Sequence, residues 1–136
     1  MAEKENKVSA AEEVKPAAET KVVTEAKARL TNYGATPRKV RLVIDLIRGK
    51  DIDEAYDILS NCQKMAAAAI IKLIKSAEAN AVNNYKMNRE TLYVAEITAN
   101  DSVKLKRILP RAKGSASGLV KRWSNVYVTL KNREAK

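Results

Sequence analysis

The residues that most constrain the fold lie between Thr91 and Leu130. After Asn83-Asn84 the apolar period shortens from 3.6 to 2, with Thr91, Tyr93, Ala95 and Ile97 on one face and Leu92, Val94, Glu96 and Thr98 on the other, which predicts a strand. Alternation loosens through Val103-Lys104-Leu105-Lys106 and returns at Val126-Tyr127-Val128-Thr129-Leu130. The intervening run Pro110-Arg111-Ala112-Lys113-Gly114-Ser115-Ala116-Ser117-Gly118 joins a proline and two glycines to small residues, the composition of a hairpin tip. Limbs running from about residue 99 to a tip near Lys113 span about 45 Å at roughly 3.3 Å per residue. A globule of about 100 residues has a radius of gyration near 13 Å. Such a hairpin cannot lie wholly over its own core, and an isolated two-stranded ribbon is marginal in water. Something else must receive it.

Charge says what that partner is. The chain of 136 residues carries 26 Lys+Arg against 16 Asp+Glu, a net charge of +10. Residues 1–27 hold 5 Lys and 6 Glu, and the first 20 residues read as a disordered extension, leaving residues 21–136 as one domain. Residues 28–136 hold 21 basic and 10 acidic residues, so the folded part is the basic part. From Ser102 to Arg133 there are nine basic residues and no acidic one in 32 positions. A charge run is most often a solvated face, but one this long repels itself and supplies no ion pairs of its own. An external polyanion accounts for it.

Upstream, helical spacing dominates. Thr36-Pro37 marks a helix start, with Thr as N-cap and Pro at the first helical position. Val40, Val43, Ile44 and Ile47 follow at i, i+3, i+4 and i+7, and Gly49 ends the run. Asp53 is placed to cap a short second helix through about Asn61, with Ala55, Ile58 and Leu59 inward. A third helix, about Gln63 to Asn83, carries the stripe Ala66, Ile70, Leu73, Ile74, Ala77 and Ala81. Val22 to Leu30 has the makings of another strand. Apolar residues are 46% of the chain while aromatics are 4% and Phe is absent, so the core is expected to be aliphatic. The fold class expected is α+β: three helices packed on a small antiparallel sheet, with a long protruding hairpin over about 100–124.

Chemistry for catalysis is scarce. There is no His, the single Cys62 reads as a small half-buried hydrophobe, and no phosphate loop, nucleophile elbow or metal-ligand spacing occurs. The expectation is no enzyme, no cofactor and no metal. Met1 to Ala10 lacks an apolar signal core, and the longest nearly apolar run, Met65 to Ile71, is far short of the roughly 18 residues that span a bilayer. A cytoplasmic protein without a membrane partner is expected, monomeric when free.

Two cation clusters are candidate contacts. On the arm, Lys104, Lys106 and Arg107 line one limb, Lys121 and Arg122 the other, and Arg111 and Lys113 the tip. Arg binds phosphate through its fork and Lys as a movable charge. The second cluster, Arg38-Lys39-Val40-Arg41, falls in a first helical turn, where the macrodipole disfavours each cation by about 0.3–1 kcal/mol. Asp45 is spaced to pair with Arg41 or Arg48, which leaves Arg38 and Lys39 for phosphate. Trp123 and Tyr127, near the base of the arm, suit packing there or stacking on bases.

The runs Val40-Arg41-Leu42-Val43-Ile44-Asp45-Leu46-Ile47-Arg48-Gly49, Ala55-Tyr56-Asp57-Ile58-Leu59 and Leu105-Lys106-Arg107-Ile108-Leu109-Pro110-Arg111-Ala112-Lys113-Gly114 closely resemble the bacterial form of the large-subunit ribosomal protein L-twenty-two family, from about Val22 to Arg133. The resemblance implies a globule bound to large-subunit ribosomal RNA beside neighbouring ribosomal proteins. It implies an arm threading that RNA, with Lys104, Lys106, Lys121 and Arg122 along the shaft and Arg107 close to the constriction of the nascent-peptide exit tunnel. Pro110, Arg111, Ala112, Lys113 and Gly114 would then face the tunnel and the nascent peptide. The family commonly continues after Gly114 with Arg, Ala, an acidic or polar residue and Arg, where this chain has Ser115-Ala116-Ser117-Gly118. The rival from another class is an architectural DNA-binding protein with a basic arm, but this tip offers little apolar surface to wedge between base steps beyond Pro110 and the nearby Ile108 and Leu109.

Overall fold

Pro37 begins α1 (Pro37–Ile44), its fixed φ suited to a first helical position, and extended Thr36 precedes it. The side chain of Thr36 makes no capping bond; its carbonyl instead accepts from the amides of Lys39 (3.0 Å) and Val40 (3.3 Å). The regular helix ends at Ile44, and tighter turns carry the chain to Gly49, whose φ of +75° suits a residue without Cβ. The structure is a computed structural model and describes residues 25–133. The sequence reading of residues 1–20 lies outside them.

Helix α2 (Ile52–Asn61) starts earlier than the spacing predicted. Its N-cap is Asp51, whose carbonyl accepts from the Ala55 amide at 2.9 Å, while Asp53 lies in the first turn and pairs with Arg89 at 2.8 Å. Asp51 also bridges to Tyr93, and that tertiary pairing fixes where the helix begins. Helix α3 (Met65–Ala79) buries Ala66, Ala67, Ile70, Leu73, Ile74 and Ala77. Beyond Ala79 the coil widens to a π-turn, Asn80–Asn84, which still buries Ala81. A hydrogen bond from the Tyr56 hydroxyl to Glu78 (2.7 Å) ties α2 to α3, and Arg89 reaches the same carboxylate at 2.6 Å. Burial, then the Glu78 carboxylate, pushes the Tyr56 phenol well above its ordinary range.

Three antiparallel strands, β1 (Glu25–Tyr33), β2 (Leu92–Pro110) and β3 (Ala116–Asn132), form a sheet in the order β1-β3-β2. The helices cover one face, and the core between them is aliphatic: Ile44, Ile47, Ile70, Ile74, Leu92, Val94, Ile97, Val128 and Leu130 are at most 1% exposed. The α+β class is as expected.

The alternation of β2 is not continuous. Its register shifts between Val94 and Glu96, so Leu92 and Val94 are buried, Glu96 is exposed, and Ile97 and Ala99 are buried again. The uninterrupted period expected over residues 91–98 placed Ile97 on the same face as Tyr93; the bulge returns it to the core side. A second shift, between Asp101 and Lys104, separates the part of the hairpin on the globule from the part that leaves it.

Candidate nucleic-acid interface

Beyond that second shift the hairpin runs from the rung Lys104↔Arg122 to Pro110↔Ala116. Directly opposed residues share a face of an antiparallel ribbon. Lys104, Arg122 and Lys106 therefore occupy one face together with Val120 and Ile108, while Lys121 and Arg107 occupy the other with Leu105, Leu119 and Leu109. All five cations are exposed, and Ile108 is 78% exposed. Cations and aliphatics are thus mixed on both exposed faces of the ribbon.

The rung Lys104↔Arg122 sets two like charges opposite each other, an arrangement that opposes pairing. One acid answers it: Asp101 approaches the Lys104 ammonium at 3.4 Å. Arg122 has no acidic partner among the described residues, and neither do Lys106, Arg107 and Lys121.

At the tip, the turn Ala112–Gly114 places Lys113 at φ 56° and Gly114 at φ +71°. The Arg111 amide donates to the Ser115 carbonyl (2.8 Å), the Ser115 hydroxyl donates to the Ala112 carbonyl (2.9 Å), and the Arg111 guanidinium donates to the Ser117 hydroxyl (3.3 Å). The two serines that depart from the expected family pattern thus close the tip upon itself. Pro110, Arg111, Ala112, Lys113 and Gly114 are all exposed.

The cluster on α1 divides in a way its spacing did not show. Arg41 does not pair with Asp45; its Nε and one terminal nitrogen donate to the Ala99 carbonyl at 3.0 and 2.8 Å. Asp45 pairs with Arg48 at 3.0 Å, and Arg48 also donates to the Ile97 carbonyl at 3.2 Å. Two arginines therefore satisfy carbonyls on the outer edge of β2 that no fourth strand among the described residues takes. Further along that edge the Gly49 amide donates to the Val94 carbonyl (2.8 Å) and the Val94 amide to the Lys50 carbonyl (2.9 Å). Sheet edges are commonly blunted by such covering. The side chains of Arg38 and Lys39 are exposed and have no hydrogen-bond or ion-pair partner among the described residues.

The tertiary fold unites the two clusters. Arg38 and Arg41 line a cleft of about 360 Å³ with Asp101 and Arg122. Lys39 lines a larger groove, about 810 Å³, whose wall includes Lys121, Arg122 and Trp123 from β3. Arg122 borders both. Lys64, Leu42 and Met65 also line the larger groove and were not singled out by sequence. The signal for the last two was apolar side chains off the buried stripe: Leu42 is 63% and Met65 85% exposed. Trp123 is half-buried at the arm base, whereas Tyr127 is exposed on the uncovered sheet face beside Arg29 and Lys27.

Among the described residues no helix is long and apolar enough to cross a membrane. Comparison with known proteins accords with this architecture. Residues 28–131 match the family model described as ribosomal protein L22p/L17e. A large ribosomal subunit protein uL22 from Acetivibrio thermocellus is 54% identical over 109 residues, covering 80% of this chain and 87% of the relative. Its namesake from Caldicellulosiruptor saccharolyticus is 52% identical over 112 residues, covering 82% and 92%. That from Onion yellows phytoplasma is 50% identical over 105 residues, covering 77% and 81%. The match takes in the helices, most of the sheet and the whole basic arm, and the chain belongs to the ribosomal protein L22p/L17e family.

Proposed function

We propose that this protein is a structural, non-enzymatic constituent of the large ribosomal subunit in the cytoplasm, holding ribosomal RNA through its α1 cations and its arm. The observation that carries this reading is the ribbon past Lys104↔Arg122, exposed on both faces with unneutralised cations on each. Folded RNA supplies phosphates on both sides of such a ribbon, removes the like-charge penalty and covers the aliphatics. Arg38, Lys39, Arg41 and Arg122 mark where the arm meets the globule; Lys104, Lys106, Arg107 and Lys121 hold the shaft.

The tip, with Pro110, Arg111, Ala112, Lys113 and Gly114, faces the nascent peptide in the exit tunnel, and its self-closed turn presents a compact surface there. RNA domains that share the arm are drawn together during assembly, so one ribbon serves both assembly and translation.

Sedimentation of tagged protein through sucrose gradients tests the reading: it comigrates with the large subunit and whole ribosomes in low and in high salt. Location with the nucleoid or at the top of the gradient overturns it in favour of DNA binding. If seven arm cations each meet a phosphate, log affinity for large-subunit RNA falls with log salt at a slope of roughly −5 to −6. A slope near −1 contradicts the arm. Photocrosslinking from position 113 to a stalled nascent chain tests the tip, and labelling of RNA alone removes it from the tunnel wall.

A further inference from the structure

The groove between α1, the start of α3 and the base of the arm has a composition that a phosphate-binding surface alone does not need. Its floor and walls include Leu42, Met65, Ala66 and Trp123, and its rim carries Lys39, Lys64, Lys121 and Arg122 without an acid among the lining residues. Leu42 and Met65 expose apolar surface beside four cations. Beyond Tyr33↔Ser124, β1 no longer pairs with β3, so the groove follows a stretch of β3 edge that no strand covers among the described residues.

Continuous duplex RNA presents phosphates and sugars, with its bases stacked inside, and leaves apolar walls of this kind in contact with water. A nucleotide turned out of its stack presents an apolar, π-faced base and a phosphate on either side of it. Unstacked bases are the parts of RNA that proteins read by apolar and aromatic contact. At about 810 Å³ the groove is within the range of small-ligand sites. Resting on the RNA-binding reading above, we infer that the groove receives an unstacked nucleotide of single-stranded RNA, its base against Leu42, Met65 and Trp123 and its flanking phosphates on Lys39, Lys64, Lys121 and Arg122. The arm binds by charge and shape; the groove adds a requirement for an extruded base.

Trp123 is the only tryptophan of the chain, so its fluorescence reports on the groove alone. The full-length protein is titrated with single-stranded oligoadenylate, with duplex RNA of equal phosphate number, and with hexaglutamate, while anisotropy of labelled RNA follows total binding. Oligoadenylate is expected to quench Trp123 saturably, duplex RNA to bind with little quenching, and hexaglutamate to leave the emission unchanged. Met65→Ser and Leu42→Ser, at exposed positions and without change of charge, are each expected to weaken oligoadenylate binding about tenfold, the scale of losing one base contact. Duplex affinity should stay within about twofold. Equal quenching by duplex RNA, quenching by hexaglutamate, or unchanged oligoadenylate affinity in both variants overturns the inference. Duplex binding without any effect of oligoadenylate overturns it while leaving the RNA-binding reading intact. Failure to bind either RNA overturns both.

Discussion

Arg41 and Ala99 join the two regions that the sequence keeps apart: the guanidinium on α1 holds the carbonyl of the last buried residue of β2 by two hydrogen bonds, 3.0 and 2.8 Å. The arm leaves the globule just beyond that carbonyl. A side chain that the sequence placed among the candidate RNA contacts thus anchors the root of the arm, a use that suits a planar fork with five donors.

Arg41→Ala is therefore expected to lower stability by about 2 kcal/mol, since hydrogen bonds to charged groups contribute about 1.5–3 kcal/mol. Arg38→Ala is expected to leave stability within about 0.5 kcal/mol, as for a surface change away from such features. Both should weaken RNA binding. Chemical denaturation beside RNA titration separates the effects, and equal stability losses in the two variants would remove the anchoring role.

The bulge in β2 makes a prediction that unbroken alternation does not. Ile97, fully buried, should cost about 2–5 kcal/mol when replaced by Ala, as for other large-to-small core changes. Ala95→Glu and Glu96→Ala should each stay within about 1 kcal/mol, because position 95 is half-buried and 96 exposed. A denaturation series over the three residues 95–97 checks the pattern, and a cost at Glu96 comparable with that at Ile97 would deny the register shift.

At the tip, Gly114 occupies φ +71°, where an L side chain costs about 1–2 kcal/mol. Gly114→Val should loosen the turn and speed hydrogen exchange at the Arg111 amide, which donates to the Ser115 carbonyl at 2.8 Å. Ser117→Ala should free the Arg111 guanidinium with little effect on that amide. Thermal unfolding of the globule should not move in either variant. Coupled loss of globule stability would show that the tip is not an independent unit.

Acid sensitivity has a defined source at the sheet margin. Glu25 lies between Lys131 (2.6 Å) and Lys27 (3.3 Å), and hydrogen bonding to Lys131 first, then Lys27, holds its carboxyl below the usual 4.5. A depressed carboxylate pKa stabilises the fold above the unfolded value, and the contribution fades as pH falls from that value through the folded one. Stability measured from pH 6 down to pH 3 should fall less steeply in Glu25→Gln than in the parent chain. Raising salt should reduce the difference, because the pair is at the surface. Parallel curves for the two proteins would deny the linkage.

Much was legible in order and pattern. Pro37 and the 3.6-residue stripe marked α1, the alanine-rich stripe from Ala66 to Ala81 marked the buried side of α3, and the proline- and glycine-bearing run marked the turn of the arm. These are local signals: each depends on the conformations of a few neighbouring residues and on which side of a helix or strand is apolar. The uninterrupted excess of Lys and Arg likewise made a polyanionic partner the expectation before any fold was known, because charge adds up whatever the geometry. Sequence alone therefore determined the α+β class and the basic hairpin arm. It did not determine the start of α2 at Asp51, the bulge that turns Ile97 inward, or the exchange of Asp45 for Ala99 as the partner of Arg41. Each is decided by a group distant along the chain: Tyr93 bridging Asp51, the β3 register opposite Val94 and Glu96, and an edge carbonyl without a neighbouring strand. The groove shared by Lys39, Lys64, Lys121 and Arg122 is of the same kind. Its walls come from α1, α3 and β3, and only packing the helices onto one face of the sheet brings their cations and exposed apolar residues to one place.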